Sequence, residues 1–383
     1  MIDSLHLKNF VAFTDLTIDF SSGINIIVGE NGTGKTQLLK AILVLCAPAS
    51  HAHEEEQPGA QLARKLIRLF HPLGENVGEL RRAGTRGEAV LSAIFALDQK
   101  ITARFSGNAT EVKVNRSAGQ AVPPAIFIPT KEVLSLVRGI TAEQPDLPTI
   151  ERIFDDGYLD LAQLLTKEGI EDLDSKVQLN PRFASIVPRL VNLIGGRYEL
   201  HNGRFCFQAG TYVEKQGKSS AAQKAAQSFQ DSSLHFVPAK SPLLSSGMTA
   251  EGFRKIGVLQ RLLSNGSLNP GISGPLLWDE PESNLNPKLM KDLVLALLEL
   301  ARNGQQVVLA THDYVLLKWF DLLMDKGEGD QVRFHVLSRD TKTGEVLRDS
   351  MDDYRAIEPN AIADTFNELT KEQVARKMGS LGK

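Results

Sequence analysis

The residues that could do chemistry first are those from Gly29 to Thr36, G-E-N-G-T-G-K-T, which fit the phosphate-loop pattern G-x-x-x-x-G-K-[ST] at every fixed position. Glycines at this spacing let the backbone turn tightly, so that consecutive N–H groups point inward and cradle an anion. In such a cradle the Lys35 ammonium reaches the β- and γ-phosphates of a nucleotide. The Thr36 hydroxyl is a ligand for Mg2+, and Asn31, Gly32, Thr33, Gly34 and Gln37 complete the expected contacts. A second pair of reactive groups stands far downstream, where the apolar run G-P-L-L-W ends in Asp279 and Glu280. Behind a phosphate loop, such a pair divides the work: Asp279 holds magnesium through water, and Glu280 polarises the water that attacks the γ-phosphate.

The elements that must position these groups are written around them. A phosphate loop has to join a buried strand to a helix N-terminus. Residues 24–28, I-N-I-I-V, suit a buried strand, and residues 37–45 are Leu/Ala-rich with helical spacing. Ahead of the loop, residues 5–10 and 16–20 read as two strands joined by a turn. Residues 47–88 are polar and helical in tendency, with A-R-K-L-I-R-L-F as an amphipathic helix; Arg81, Arg82 and Arg86 either meet phosphates or form a solvated face. Residues 89–105 and 110–114 suit antiparallel strands, and residues 125–129 a further buried strand.

Residues 150–168 and 181–194 are helical patterns, and Asn202-Gly203 between alternating residues predicts a type I′ hairpin. Residues 216–233, flanked by Lys215 and containing Lys218 and Lys224, are poor in anchoring hydrophobes and predict a mobile loop or frayed helix. Further on, residues 254–263 and 289–301 suit helices, residues 306–311 a buried strand that delivers His312, residues 332–337 and 345–348 a hairpin, and residues 362–377 a last helix.

Taken in order, these motifs resemble the ATPase heads of the SMC, RecF and OLD-type ABC ATPases: L-K-N-F-x-x-F, a second strand, the phosphate loop, D-E-P, E-S-N-L-N-P and A-T-H-D. The resemblance covers both halves of such a head, residues 1–130 and 235–340. It implies an α/β fold: an ABC-type P-loop NTPase head with a mixed central sheet and an antiparallel β subdomain, plus a helical insertion lobe. The expected stretches are a first ATPase lobe over 1–139, the insertion with hairpin and loop over 140–234, a second lobe over 235–340 and a hairpin end with helix over 341–383.

The resemblance also implies roles. Lys8 and Asn9 would lie near the adenine, His312 would contact the γ-phosphate, and Asn284 and Asn286, with Glu282, would form the D-loop facing a partner subunit. The signature element has two candidates, Ser245-Ser246-Gly247 and the run 250–255. The second runs directly into a helix, so Glu251, Gly252 and Lys255 are favoured as contacts to a partner's ATP. Pro129-Thr130-Lys131-Glu132 falls where these ATPases sense the γ-phosphate, but it has no glutamine and leaves the sensor unplaced: Gln99 and Gln120 are alternatives, and a strand-exit turn capping a helix from Lys131 onward is the other reading of the segment.

ATP and Mg2+ are the implied cofactors, and a homodimer or higher homo-oligomer the implied assembly. The leading reading is an ATPase whose closure gates a separate effector, a nuclease or toxin, in bacterial defence against phage. A RecF-like DNA repair ATPase on duplex DNA and an ATP-gated scaffold with negligible hydrolysis are the rivals. The interval between the half-motifs has no sustained heptads, which excludes a long-armed chromosome tether. Residues 313–383 are short for a fused nuclease domain, and Asp352-Asp353 lacks its acidic pattern, so the chain is expected to cut nothing itself.

Composition narrows little beyond this. At 42% hydrophobic and 23% charged residues, with no apolar run of membrane length, a globular chain that stays in the cytoplasm and off the membrane is expected. A net charge of -3 gives no global attraction to DNA and leaves a local basic groove open. Cys46 and Cys206 are far apart and lack metal-type partners, which argues against a zinc site or disulfide framework.

Overall fold

The computed structural model describes residues 1–46, 57–117, 121–140, 147–168, 186–214, 234–357 and 361–380. The chain divides into two compact units, Met1–Val122 with Val308–Lys383, and Pro123–Val307.

In the first unit β1 (Ile2–Phe10) and β2 (Phe13–Asp19) form a hairpin through a tight turn at Val11 and Ala12, Val11 having a φ of 41°. β3 (Ile24–Gly29) is buried along its whole length, as its run of β-branched residues requires. The helix Lys35–Leu45 follows the phosphate loop, and Pro58–Phe70 is the amphipathic helix expected from A-R-K-L-I-R-L-F. β4 (Ala89–Phe95), β5 (Gln99–Phe105) and β6 (Lys113–Arg116) extend the first hairpin into an antiparallel sheet ordered β2-β1-β4-β5-β6. Phe10 anchors its core, edge-on to Phe70 at 5.3 Å and to Phe105 at 6.4 Å.

The second unit begins with β7 (Ile126–Ile128). β8 (Gly196–His201) and β9 (Arg204–Glu214) form the Asn-Gly hairpin, Asn202 at φ 49° and Gly203 at φ 70°, both positive as a type I′ turn needs. β10 (Leu234–Pro238) and β11 (Leu244–Ser245) pair along β9, and β12 (Leu276–Asp279) runs parallel to β7. The helix expected over 150–168 is broken in two, Leu147–Ile153 and Asp156–Thr166, because the Asp155 carboxylate accepts from the Gly157 N–H and starts a new helix.

β13 (Val307–Thr311), β14 (Val332–Arg339) and β15 (Val346–Met351) return to the first unit, where the order is β15-β14-β3-β13. β14 pairs parallel with β3 and antiparallel with β15, so the sheet carrying the phosphate loop is mixed. The C-terminal helix spans Ala361–Ser380.

The compact units cut the chain differently from the four stretches expected. Residues 186–214 do not stand apart as a lobe: the Tyr198 N–H donates to Gln260 Oε1 at 2.9 Å, and the Tyr198 hydroxyl bonds Thr249, which joins the hairpin to the helix Glu251–Ser264. The first five residues of the helix expected over 181–194, the basic stretch 216–233 with Lys215, and Gln120 lie outside the described residues. Cys46 and Cys206 are free thiols, and burial pushes the Cys46 thiol up to about 12. Among the described residues no group of His, Cys, Asp and Glu is arranged to hold a metal by itself, and no helix is long and apolar enough to cross a membrane.

Candidate active site

The phosphate loop is held by main-chain geometry. Gly32 and Gly34 have φ of 80° and 92°, in the left-handed region where a side chain is costly. At Gly34 a Cβ would also stand 2.7 Å from the Phe13 ring and 3.2 Å from Ala12 Cβ, so the β1–β2 turn packs against the cradle. Thr33 is buried and its hydroxyl donates to the Glu30 carbonyl at 2.8 Å, which closes the loop. The Lys35 ammonium is turned into the loop and donates to the carbonyls of Gly29 at 2.7 Å and Glu30 at 3.1 Å. Asn31, Gly32 and Thr36 are exposed at the crest, and the first turn of the helix Lys35–Leu45 carries no acidic residue.

These features fit an anionic ligand. A buried ammonium, an open Gly32 and a helix N-terminus without an acidic side chain set positive potential where a phosphate would sit. Gln37 Oε1, one residue beyond Thr36, is buried with no hydrogen-bond partner among the described residues. Asn31, Gly32, Thr33, Gly34, Lys35 and Gln37 would hold the nucleotide. In the first unit the Thr36 hydroxyl, and separately in the second unit the Asp279 carboxylate, are hard oxygen donors of the kind that suits Mg2+.

His312 lies in the same unit as the loop, exposed at the tip of β13. Its place is set by the residues on either side: the Asp313 N–H donates to Thr311 Oγ1 at 3.0 Å, and the Asp313 carboxylate caps the helix Tyr314–Leu323 by accepting from Leu316 N–H.

Asp279 and Glu280 end β12 in the second unit. Asp279 is 4% exposed and accepts from the Thr130 hydroxyl at 2.9 Å. Glu280 is half-buried and has a φ of 47°, a left-handed conformation that costs a non-glycine residue about 1–3 kcal/mol. The turn that follows is closed by the Ser283 N–H donating to the Glu280 carbonyl at 3.1 Å. Such an outlier must be over-determined by its surroundings, and it sits at the residue whose carboxylate was expected to act.

The two signature candidates behave differently. Gly252 lies in the first turn of the helix Glu251–Ser264, where a Cβ would come 2.7 Å from the Asn284 carbonyl and 3.2 Å from Leu285 Cα. At Gly247 a Cβ would meet only Ser245 Oγ at 3.9 Å. Glu251 accepts from the Asn284 side-chain amide at 2.8 Å, so this helix start and Asn284 form one patch. Asn286 caps the helix Pro287–Arg302 by accepting from the Lys288 N–H at 3.0 Å.

Three sequence expectations change on this geometry. Lys255, expected to reach a partner's ATP, is 1% exposed and points inward: its ammonium donates to the Glu280 carbonyl at 3.0 Å and to the Ser283 hydroxyl. Asn9, expected beside adenine, is 6% exposed, and its amide donates to the carbonyls of Arg86 at 3.0 Å and Glu88 at 3.2 Å; only Lys8 of that pair is exposed. Arg81 and Arg82 are tied to loop carbonyls, Arg81 to Thr85 and Arg82 to Ala12 at 2.6 Å, so both already serve as struts. In each case the local sequence shows a polar group and says nothing about the carbonyl that packing brings to it.

Sequence reasoning missed Thr130, Ser283 and Arg339. The missing glutamine left the segment 129–132 without a role, yet Thr130 is the residue there that reaches Asp279. Gln99 instead heads β5, opposite Phe95. Arg339, at the end of β14, donates to the Gly32 carbonyl at 2.6 Å and braces the outside of the cradle.

Known proteins resemble this chain in separate stretches and in fold. Residues 4–115 match a family model described as "AAA domain", and residues 144–318 one described as "AAA domain, putative AbiEii toxin, Type IV TA system". The DNA replication and repair protein RecF of Oenococcus oeni is 30% identical over 142 residues, 36% of this chain and 33% of that protein. RecF of Limosilactobacillus reuteri is 43% identical over 80 residues, 21% of each chain. The structure of an SMC head bound to the C-winged helix domain of ScpA superposes with a TM-score of 0.50 at 13% identity, covering 92% of this chain and 97% of that one. The chain is thus similar to the SMC/RecF-like ABC-type P-loop ATPases: AAA-domain models match two separate stretches of it, RecF proteins match part of it, and an SMC head shares its fold. The SMC/RecF-like chain spans about a third of the length of the first of these RecF proteins and about a fifth of the second, and the SMC head is a likeness of fold.

Proposed function

We propose that this SMC/RecF-like protein binds and hydrolyses Mg-ATP, and that nucleotide-driven pairing of two copies gates a separate effector. The observation that carries the reading is the Asp279–Glu280 pair. One carboxylate is buried and held by Thr130; the next is presented from a left-handed turn at the C-terminal end of a buried strand. Strain of that kind is retained where a side chain must be aimed. Lys35 binds the phosphates, Thr36 and Asp279 hold the metal, and Glu280 takes the proton of the attacking water. His312 contacts the γ-phosphate.

In the paired form the helix start at Glu251 and Gly252, with Asn284 and Asn286, faces the nucleotide of the other copy. Glu251, Gly252 and Asn284 already form one patch. The match of residues 144–318 to a model whose description names a toxin system supports an effector-linked role, such as defence against phage.

The test is sedimentation of Glu280→Gln with and without Mg-ATP. Because nucleotide bridges the copies, a variant that binds and does not cleave should accumulate as an ATP-dependent dimer while wild type cycles. An inactive variant whose size is the same with and without ATP would refute the nucleotide-bridged pair. Copurification from the native host identifies the effector.

The RecF relatives favour a second reading, an ATP-gated clamp on duplex DNA. Filter binding across a salt series separates the two, since phosphate contacts give affinity that falls steeply with salt.

A further inference from the structure

A lysine buried to 1% exposure inside a helix has to be explained by what its ammonium holds. Lys255 lies in the first turns of the helix Glu251–Ser264. Desolvation pulls its pKa down from the usual lysine range, and the carboxylates of Glu282, Glu251, Glu280 and Asp279 oppose that pull. The ammonium meets the turn after β12 at two points, the Glu280 carbonyl at 3.0 Å and the Ser283 hydroxyl. That carbonyl is the one the Ser283 N–H already uses to close the turn, so Lys255 reinforces the contact that keeps Glu280 left-handed.

The chain of contacts continues beyond the turn. Ser283 Oγ donates to the Thr130 carbonyl at 3.3 Å, and the Thr130 hydroxyl donates to Asp279. On the other side of the helix start, Arg254 pairs with Glu132 at 2.9 Å with both side chains largely buried, and it also donates to the carbonyls of Ser246 at 3.2 Å and Thr249. The helix start, the carboxylate pair and the segment 130–132 are therefore one hydrogen-bonded body within this unit.

We propose that Lys255 is a positioning residue for hydrolysis: its ammonium grips the 280–283 turn and so aims the Glu280 carboxylate, linking the helix that begins at Glu251 to the reacting water. The proposal rests on Glu280 being the hydrolytic carboxylate. It differs from a phosphate contact across two copies, because the ammonium is directed at its own chain's main chain. A methionine in its place keeps the aliphatic stem and removes the grip. The turn can then relax away from φ 47°, and the carboxylate loses its aim while the phosphate cradle keeps its own scaffold.

The experiment measures steady-state ATP hydrolysis and binding of a fluorescent ATP analogue for the whole chain as wild type, Lys255→Met, Glu280→Gln and the double variant. Lys255→Met should lower kcat about tenfold or more with analogue affinity within about threefold of wild type. The double variant should be no slower than Glu280→Gln alone, since Lys255 acts through Glu280. Wild-type kcat in Lys255→Met, a loss confined to affinity, or a full further loss in the Glu280→Gln background would each overturn it. Normal turnover in Glu280→Gln would instead remove the hydrolysis reading on which the proposal rests. If Lys255→Met does not fold, Ser283→Ala removes one of the two acceptors: a kcat lower by about threefold or more supports the grip, and an unchanged kcat overturns it.

Discussion

The phosphate cradle and the 250–286 region carry comparable chemistry and are held by different means. The cradle is a backbone object: glycine conformations, a helix N-terminus and main-chain carbonyls that receive Thr33, Lys35 and, from outside, Arg339. The other region is a side-chain object, in which Lys255, Ser283, Thr130 and the Glu251–Asn284 pair hold a strained turn and a buried carboxylate. A backbone object tolerates loss of its reactive side chain without changing shape. A side-chain network transmits the loss of any member to the rest.

The widest separation between the two regions should come from one substitution in each. Glu280→Gln should lower turnover about 100-fold or more with ATP still bound, because the shape of the turn survives and the base does not. Lys35→Ala should weaken ATP binding by about 10- to 100-fold, the loss of charge-assisted contacts to phosphate, with an unchanged melting temperature. Equilibrium binding beside turnover checks both. If Glu280→Gln loses binding and Lys35→Ala loses only turnover, the division of labour is reversed.

Packing around the two glycines sharpens the contrast next. Gly252→Ala drives a methyl group against the Asn284 carbonyl and should cost about 1–3 kcal/mol, whereas Gly247→Ala should stay within about 0.5 kcal/mol of wild type in urea melts. Equal costs would show that the main chain at Asn284 and Leu285 yields freely. The close approach also means that a bulky residue at Gly252 disturbs its own chain before any second copy is involved.

A buried histidine in the first unit bears on the stability of the cradle's sheet. His335 on β14 is fully buried, bonded to Ser350 at 2.7 Å and Asn25 at 3.3 Å and edge-on to Phe20. Burial first, then Arg333 and Arg348, hold its pKa down from 6.5 to about 3. Between those values the unfolded chain binds a proton that the folded chain does not, so stability is full above pH 6.5 and is lost as pH falls toward 3. From pH 7 to pH 5 this group should remove about 2 kcal/mol, and His335→Gln should flatten that slope in denaturant titrations. An unaltered slope would assign the acid sensitivity elsewhere.

The smallest effect belongs to the outer brace. Arg339→Ala removes one exposed contact to Gly32 and should weaken ATP binding by about threefold to tenfold with kcat unchanged, measured in the same binding assay. No change would mean that the glycines shape the loop unaided.

By itself the sequence determined what local backbone rules control. Glycines at 32 and 34, Asn202-Gly203, the β-branched run before the loop and the Asp-Glu pair after an apolar strand each carry their conformation or chemistry within a few residues, and each stands where it was expected. The break at Asp155 shows the limit of periodicity, because a single capping carboxylate outweighed the apolar spacing on both sides. Tertiary structure alone decided which polar group meets which carbonyl. Lys255 finds Glu280 across 25 positions, Asn9 finds Arg86 across 77, and Thr130 finds Asp279 across 149. Lysine, asparagine and threonine have similar local signatures whether they face solvent, ligand or main chain. What selects among these is burial, since a polar group taken out of water must be paired with whatever the packed chain brings within reach.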